Sequence, residues 1–271
     1  EQDFQDCSFG FRPGRSAHDA VRALKRVTGY RGAGWILEAD IVSYFDSIDR
    51  KKLLKIIQSR VPDGSLQRLI GKCLHVGVLD GDQYSEPSEG TAQGSVLSPL
   101  LGNIYLHHVV DVWFECEIRP TLRGTATLVR YADDLVMAFD REDDAVGVME
   151  LLRARVASFG LRLHPEKTRL VAFAQPRGDA RKGPGTFDFL GFTWYWRKGR
   201  TKRWSVFCKT RTARLARAIK SVHDFCRRSR HESIGKQHAG LRRRLQGHFN
   251  YFGVSGNRRC LQALLEQARR I

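Results

Sequence analysis

The 271-residue sequence has no apolar run close to the roughly 20 residues needed to cross a lipid bilayer. Its first residues, from Glu1 onward, are polar and do not have the pattern of a secretory signal peptide. These two absences exclude a transmembrane helix of ordinary length. They predict a cytoplasmic protein with no membrane partner.

The sequence also lacks any CxxC pair, and its six cysteines form no cluster with histidine at zinc-ligand spacing. We therefore expect reduced, mostly buried thiols rather than disulfides or a structural metal. There is no internal repeat and no low-complexity segment. With 42% hydrophobic residues, the chain is long enough to bury a sizeable core in one large domain or two small ones.

Positive charge is concentrated in the last quarter of the chain. The net charge is +17, and residues 201 to 271 hold 18 Lys and Arg against three acidic residues, whereas the first 200 hold 28 against 26. This excess favours a polyanionic partner, because each phosphate that a cation contacts releases condensed counterions. A solvated helix face that increases solubility is the alternative, and a membrane surface is a third.

The apolar pattern predicts a mixed α+β domain over 1–204 and a helical domain over 205–271. Ser16 and Asp19 have the spacing of a capping box before a helix of about 16 to 28, and the run WILEADIV predicts a strand with Asp40 near its exit. Segment 161–173 predicts two short strands paired around a proline turn, and 187–196 predicts one aromatic strand. Further helices are expected near 66 to 75, after Pro99, at 142 to 159, and three times after Lys209.

Two adjacent carboxylates interrupt the apolar segment 127–140. The sequence TLVRYADDLVMAFD predicts a tight hairpin with Asp133 and Asp134 at its tip. Buried carboxylates are costly unless they are paired or bind a cation, and hard oxygen ligands favour magnesium. If Asp40 lies on the neighbouring strand, three carboxylates would hold two ions about 4 Å apart, the arrangement used for nucleotidyl transfer. An acidic turn on a solvated hairpin has the same two residues and stays open as an alternative.

Six segments of the sequence form an ordered set of motifs. They are FGFRPGRS at 9–16, DIVSYFD at 40–46, EGTAQGSVLSPLLGNIYL at 89–106, VRYADDLV at 129–136, LHPEKTRL at 163–170 and FDFLGFTW at 187–194. These segments resemble, in order, the sequence blocks of reverse transcriptases, specifically those encoded by bacterial group II introns. The tail GHFNYFGVSGN at 247–257 is similar to the thumb or maturase region of these enzymes.

The resemblance implies a right-hand polymerase palm, with a ferredoxin-like antiparallel sheet and helices, followed by a three-helix thumb. Because the chain begins inside the second block of the family, we expect the N-terminal fingers to be missing from it. The implied activity is RNA-directed DNA polymerisation, the addition of deoxynucleotides to a primer 3′ end. The implied partners are an RNA template, a DNA primer, deoxynucleoside triphosphates and structured intron RNA.

The resemblance also implies roles for individual residues near the carboxylates. Asp40, Asp133 and Asp134 would hold two Mg²⁺ ions, or Mn²⁺ as a substitute, with the main-chain carbonyl of Ile41 as a further ligand. Phe45 would lie under the nucleotide sugar and exclude a 2′-hydroxyl. The alternative for Phe45 is an ordinary core position.

Further implied positions contact the nucleotide and the primer. Gln93 would touch the incoming nucleotide and the templating base, and Lys167 would lie near the triphosphate, although a surface turn lysine is an equal alternative. Phe189, Leu190 and Gly191 resemble the primer grip. Nucleic-acid contacts are expected from six arginines, namely Arg12, Arg211, Arg214, Arg242, Arg243 and Arg244.

Three rival functions differ in what they require of these residues. An RNA-dependent RNA polymerase would be expected to have a small or polar residue at Phe45 and Gly-Asp-Asp at Ala132 to Asp134, so the sequence disfavours it. A non-catalytic RNA-binding maturase would not need the three aspartates. Reverse transcriptases of retrons, CRISPR loci and phage defence use similar blocks. The oligomeric state is not predicted.

Overall fold

The structure is a computed structural model that describes residues 2–30, 33–74, 78–80, 83–85, 90–91, 96–176, 184–199 and 201–270. The chain forms two compact units, Glu1–Ala174 and Gln175–Ile271. The units divide about thirty residues before the domain boundary that composition predicts near 204, because the strands after the 161–173 segment fold with the C-terminal helices. The assignment of 1–204 as a fingers remnant and palm, and of 205–271 as a helical thumb or maturase domain, therefore stays a prediction.

The first unit combines helices with an antiparallel sheet. Its described α-helices are α1 (Ala17–Tyr30), α2 (Arg50–Arg60), α3 (Gly64–Leu74), α4 (Ser98–Leu106) and α5 (Glu142–Ser158). Its described strands are β1 (Trp35–Ala39), β2 (Val78–Asp80), β3 (Gln83–Ser85), β4 (Ala126–Tyr131), β5 (Asp134–Phe139) and β6 (Arg169–Ala172).

Short-range hydrogen bonds fix where two of these helices begin. At α1, the main-chain N–H of Ser16 donates to the Asp19 carboxylate at 2.9 Å, and the N–H of Asp19 donates to the Ser16 hydroxyl at 3.2 Å. This reciprocal pair confirms the predicted capping box. At α2, the Asp49 carboxylate accepts from the N–H groups of Lys51 and Lys52, which satisfies two amides of the first turn.

The helix predicted after Pro99 is confirmed and is longer than one regular α-helix. Helix α4 continues directly into a π-helical segment, His107–Ile118. Tyr105, Val109 and Phe114 point inward from this continuous helix and are fully buried. Their burial in one apolar cluster with the sheet forms the core beneath the strands.

The main sheet has the strand order β4-β5-β1-β6, and every neighbouring pair is antiparallel. The predicted hairpin over 127–140 is therefore confirmed. The predicted pairing within 161–173 is wrong, because both parts of that segment pair with β1 or its extension instead. Leu163 bridges Ile41, and β6 pairs with β1 along its length.

The second unit has a three-stranded antiparallel sheet and three helices. The strands, in the order β7-β8-β9, are β7 (Phe187–Phe189), β8 (Phe192–Lys198) and β9 (Trp204–Thr210). The three predicted C-terminal helices are confirmed as α6 (Thr212–Ser229), α7 (Ile234–Phe252) and α8 (Arg258–Arg270). The prediction of one aromatic strand over 187–196 is wrong, because Leu190 and Gly191 have φ of 52° and 76° and turn the chain back between β7 and β8.

The structure can be compared with the expectations for membrane-spanning helices and for the cysteines. No helix in the described part of the chain is both long enough and apolar enough to span a membrane. All six cysteines are free thiols, as predicted, but only Cys7 and Cys208 are buried, so the expectation that most are buried is wrong.

Candidate active site

The acidic turn lies at one end of the β4–β5 hairpin. Tyr131 pairs with Asp134, so Ala132 and Asp133 form a two-residue turn. The φ angle is +55° at Ala132 and not positive at Asp133, which is the sign pattern of a type II′ turn. The turn places Asp133 at the tip and makes Asp134 the first, exposed residue of β5.

Strand β1 ends beside this turn. Ala39 pairs with Leu135 of β5, and continuing the same register by one and two residues sets Asp40 opposite Asp134 and Ile41 opposite Asp133. On the other side of β1, the carbonyl of Asp40 accepts a hydrogen bond from the His164 N–H at 2.7 Å.

The same pattern orients the main chain at Ile41. Val42 donates its N–H to the Arg162 carbonyl at 2.9 Å, so two hydrogen bonds flank the Ile41–Leu163 bridge. In an antiparallel pair the residue between two such bonds points its own N–H and C=O away from the partner. The Ile41 carbonyl therefore points toward the side of β1 on which the acidic hairpin lies.

Charges at this edge of the sheet influence one another. The ammonium group of Lys167 lies 2.7 Å from a carboxylate oxygen of Asp40. Burial raises the pKa of the Asp133 carboxyl group above its ordinary value of 3.8, and the negative charge of Asp40 raises this pKa further. Hydrogen bonding to the main chain and the positive charges of Arg130 and Lys167 act in the opposite direction. The charged form of Asp133 is therefore disfavoured in this site, and an added positive charge nearby would stabilise it.

The donor types at this edge suit a hard divalent cation, since they are three carboxylates and one main-chain carbonyl. Burial and the charge of Asp40 disfavour the charged form of Asp133, and a bound cation would offset both effects. Among the described residues, however, no group of three or more His, Cys, Asp and Glu side chains has the arrangement of a metal site. The structure brings Asp40, Asp133 and Asp134 to neighbouring positions, and their convergence on a metal stays a proposal.

Phe45 lies five residues after Asp40 in a short 3-10 helix, Tyr44–Ser47. Its ring is half-buried and packs beside the ring of Tyr44, with centroids 5.1 Å apart. Both rings face Gly102, where a β-carbon would lie 3.0 Å from the Phe45 ring. The structure therefore gives Phe45 both a core contact and a partly open face, and neither predicted role is decided.

The loop expected to hold Gln93 approaches Phe45 along the main chain. The N–H of Thr91 donates to the Phe45 carbonyl at 2.8 Å. Gly90 has φ of +81°, and a β-carbon there would lie 2.8 Å from the same carbonyl oxygen, so only glycine fits this approach. Gln93 itself lies outside the described residues.

A buried charged network beneath the hairpin was not predicted from the sequence. Arg130 and Asp111 form an ion pair with 0% of either side chain exposed, and the Arg130 Nε donates to Asp111 at 2.7 Å. The same guanidinium donates to the Asn103 carboxamide at 2.9 Å and to the carbonyl of Ala132 in the acidic turn at 3.0 Å. Burial alone would raise the pKa of Asp111, but the Arg130 charge outweighs this and holds it low.

The network also reaches the N-terminal loop. Arg130 donates to the Ser8 hydroxyl at 2.8 Å, and Asn103 donates to the Gly10 carbonyl at 2.5 Å. A β-carbon on Gly10 would lie only 2.3 Å from the main-chain nitrogen of Ala132. The signal in the sequence was an arginine inside an otherwise apolar strand, because a buried charge requires a buried partner.

The predicted primer-grip residues form the β7–β8 turn in the second unit. Phe189 and Leu190 are buried, and the Leu190 carbonyl accepts a hydrogen bond from the Tyr251 hydroxyl at 3.1 Å. The Gly191 carbonyl accepts from the N–H of Arg211 at 2.9 Å. The turn is thus held by α7 and by the start of α6, and its role toward a primer stays a prediction.

The six predicted nucleic-acid arginines differ in their surroundings. Arg12 donates to the carbonyls of Gln5 and Ser8 and so holds the N-terminal loop. Arg211 lies 3.0 Å from the Asp188 carboxylate, and the Arg244 guanidinium stacks 3.9 Å from the centre of the Phe225 ring. The others are exposed on helices of the second unit, namely Arg214, Arg242 and Arg243.

The fold thus has two units, and the first unit carries acidic residues at the ends of adjacent strands. The model of the family described as reverse transcriptase (RNA-dependent DNA polymerase) matches residues 2–194. Because this match covers most of the chain, the chain belongs to the reverse transcriptase family.

Similar proteins confirm the resemblance to group II intron proteins. The group II intron-encoded protein LtrA of Lactococcus lactis subsp. cremoris is 46% identical over 106 residues, which cover 39% of this chain and 17% of LtrA. Protein YkfC of Escherichia coli K12 is 32% identical over 206 residues, covering 63% of this chain and 52% of YkfC. The chain thus spans at most about half the length of these two relatives.

A solved structure shows the same fold. Telomerase from Candida albicans, solved in complex with a TWJ fragment of telomeric RNA, superposes with a TM-score of 0.56 at 14% sequence identity. The match covers 93% of this chain and 46% of the telomerase chain. The predicted α+β palm with a helical thumb is confirmed as the fold class.

Proposed function

We propose that this chain carries out RNA-directed DNA polymerisation of the group II intron type, adding deoxynucleotides to the 3′ end of a DNA primer. The observation that carries the proposal is the placement of Asp40, Asp133 and Asp134 at the ends of adjacent strands. Membership of the reverse transcriptase family supports the reaction class. The similarity to LtrA supports a role at a group II intron.

The three aspartates and the Ile41 carbonyl would hold two Mg²⁺ ions, or Mn²⁺ in their place. Bound there, such cations lower the pKa of an attacking hydroxyl and stabilise a leaving pyrophosphate. Lys167 contacts Asp40 and adds a fixed positive charge beside the carboxylates. That charge would offset the negative charge of a triphosphate and would supply an N–H donor to the leaving group.

The other partners follow from residues around this centre. Phe45 and Gln93 would contact the incoming deoxynucleoside triphosphate, and segment 189–191 would hold the primer end. The basic helices of the second unit would bind the RNA template, the primer and structured intron RNA. Since these partners are made or stored inside cells, the proposed location is the cytoplasm.

A second candidate is an RNA-binding maturase without polymerase activity. The concentration of 18 Lys and Arg against three acidic residues in 201–271 favours it, because RNA binding alone would account for that charge. The two functions are compatible in one protein. A reverse transcriptase of a retron, CRISPR or phage-defence system would use the same site residues, so the site does not distinguish these roles from a role at an intron.

Extension of a DNA primer on an RNA template tests the proposal, in a protein that joins this chain to the N-terminal fingers that the resemblance expects to be missing. We expect magnesium-dependent extension with deoxynucleotides, none in the presence of a chelator, and little with ribonucleotides. Binding of a structured intron RNA is measured in parallel. Tight RNA binding without any extension, in a preparation that is folded, would favour the maturase and contradict the proposed polymerase.

A further inference from the structure

A small cationic cavity lies on the second unit, between the sheet and the start of α8. Its volume is about 290 Å³. Its lining consists of two strand segments and one helix start, namely Tyr195 and Arg197 on β8, Lys209 on β9, and Gly256, Arg259 and Cys260 near α8. Three of these six residues are cations and none is acidic.

The three cations have no internal counter-charge. In the part of the chain that the structure describes, no carboxylate pairs with Arg197, Lys209 or Arg259, in contrast to Arg211 with Asp188. Like charges that converge on one cavity repel each other unless an anion lies between them. The arrangement therefore favours an anionic ligand over an empty cavity.

Aromatic rings hold two of the cations in place. The Arg197 guanidinium lies 4.2 Å from the centre of the Phe207 ring, and the Lys209 ammonium lies 5.5 Å from that of Tyr195. Such cation–π contacts fix the direction of the charged groups without neutralising them. The side chains are thus oriented before any ligand binds, which lowers the entropy cost of binding.

The first turn of α8 adds the positive end of a helix dipole to the same wall. Asn257 precedes α8 and is buried, but its carboxamide accepts from the Thr210 N–H at 2.8 Å and donates to the Phe252 carbonyl at 2.8 Å. Its side chain therefore does not cap the helix, whereas its main-chain carbonyl accepts from the Cys260 N–H at 3.0 Å. The helix dipole attracts an anion, and Arg259 and Cys260 lie in this turn.

Gly256, the residue before Asn257, allows the main chain to approach β9 closely just before α8 begins. Gly256 has φ of +102°, and a β-carbon there would lie 2.7 Å from the Phe207 ring. Any other residue would be strained at this φ and would collide with the Phe207 ring. Glycine therefore lets the chain at one side of the cavity lie close to β9.

We propose that this cavity binds one phosphate group of a nucleic-acid backbone. Its volume is at the lower end of the range for ligand pockets, which suits a phosphodiester and its neighbouring atoms better than a whole nucleotide. The excess positive charge of 201–271 favours a polyanion over free phosphate. The inference rests on the proposed binding of nucleic acid by the second unit, but it involves neither the predicted arginines nor the acidic site and so does not depend on polymerase activity.

A charge-matched pair of variants tests the site in the full chain. Lys209→Gln/Arg259→Gln removes two cations of the cavity, and Lys51→Gln/Lys55→Gln removes two exposed cations from α2 in the first unit. Binding of a labelled RNA–DNA hybrid is measured by fluorescence anisotropy over a range of salt concentrations, without metal or nucleotides. Polymerase activity therefore does not enter the result.

We expect the cavity variant to reduce the slope of log affinity against log salt by about 0.9 and to bind about tenfold more weakly at low salt, as expected when one phosphate is no longer neutralised. The control pair should change both much less. Lys209→Arg/Arg259→Lys, which keeps the charges, should behave like the wild type, and thermal unfolding of each variant checks that it is folded.

Equal slopes for the cavity and control variants would overturn the proposal. A second arm adds inorganic phosphate and follows thermal unfolding. If phosphate stabilised the wild type but not the cavity variant, while hybrid binding was the same in both, the cavity would be a free-phosphate site and the nucleic-acid assignment would be wrong.

Discussion

Arg130 connects the buried interior of the first unit to the acidic turn. One face of its guanidinium is neutralised by Asp111, and another N–H is donated to the carbonyl of Ala132. Ala132 has an unfavourable positive φ for a residue with a β-carbon, so this hydrogen bond helps to hold the turn in that conformation. The position of Asp133 therefore depends on a residue that never meets solvent.

Removing one member of this pair should be more harmful than removing both. Asp111→Leu leaves the Arg130 charge buried without a partner, which we expect to lower the free energy of unfolding by about 3–5 kcal/mol. Arg130→Met/Asp111→Leu buries no charge and should recover most of that loss. Urea unfolding measures both.

The double variant should nevertheless polymerise poorly, because the Ala132 carbonyl no longer has its donor. Primer extension by the folded double variant at the wild-type rate would show that the network supports stability alone. A single variant that cost less than about 1 kcal/mol would mean that water reaches the pair.

Phe45 has two candidate roles, exclusion of a 2′-hydroxyl and packing in the core, and one substitution distinguishes them. If its ring excludes a 2′-hydroxyl, Phe45→Val should raise ribonucleotide incorporation relative to deoxynucleotide incorporation, because the discrimination is steric. Primer extension with each nucleotide in turn gives the ratio. Tyr44→Phe, which keeps the neighbouring ring and removes its hydroxyl, is the control. An unchanged ratio for Phe45→Val, together with lower stability, would make Phe45 a core residue.

At the scale of elements, the β4–β5 hairpin is positioned by a loop from the start of the chain. The carbonyl of Gly10 accepts from Asn103 on α4, and its α-carbon approaches the main chain of the turn directly. The N–H of Phe9 donates to the Arg130 carbonyl at 2.9 Å, which extends the sheet edge by one residue. The loop and hairpin thus form one packed unit.

Gly10→Ala should displace the acidic turn, because its β-carbon would lie 2.3 Å from the Ala132 nitrogen. We expect primer extension to fall by about tenfold or more, since a shift of about 1 Å is enough to cost that much. Gly29→Ala in α1, where a β-carbon meets nothing within 4 Å, is the matched control and should be neutral or slightly stabilising. Equal activity of the two variants would contradict the role given to the loop.

Local features were predictable from the sequence, and long-range pairings were not. The capping box of Ser16 and Asp19 and the hairpin at Asp133 depend on neighbouring residues, and both are confirmed. The turn at 190–191 was missed because Leu190 adopts positive φ, for which leucine gives no signal. The partners of segment 161–173 were assigned wrongly because strand pairing is decided by distant segments.

The same limit applies to the candidate site. The adjacency of Asp133 and Asp134 is visible in the sequence, whereas the placement of Asp40 opposite them required the resemblance or the register of β1. The Arg130 network joins side chains as distant in sequence as Ser8 and Asp111 through burial, which no local pattern encodes.

For the whole molecule, charge is divided unequally between the two units. The balanced first unit carries the acidic turn, and the basic second unit carries α6 to α8. This division predicts that affinity for nucleic acid and catalysis can be altered separately.

Neutralising exposed arginines on α7 tests that division. Arg242→Gln/Arg243→Gln should flatten the salt dependence of nucleic-acid binding by about 0.9 for each duplex phosphate that is no longer neutralised. Arg244 is left in place because it packs on Phe225. Lys51→Gln/Lys55→Gln on α2 removes the same charge from the first unit and should change the slope little. Equal changes for the two pairs would show that total charge, not its location, governs binding.

Asp133 connects folding stability to the proposed chemistry. Its raised pKa means that the folded protein disfavours the charged form, so this carboxylate lowers stability once the pH exceeds its unfolded value of 3.8. With metal chelated, Asp133→Asn should therefore be at least as stable as the wild type at pH 7. The difference should vanish below pH 3.8, where both side chains are neutral.

The most direct test of the central claim is primer extension by Asp133→Asn on an RNA template with magnesium. The substitution removes a proposed metal ligand at nearly constant volume. We expect extension to be lost, while the variant without metal unfolds at a temperature no lower than that of the wild type and binds the RNA–DNA hybrid at the wild-type level. Extension near the wild-type rate would contradict the assignment of Asp40, Asp133 and Asp134 as the catalytic centre.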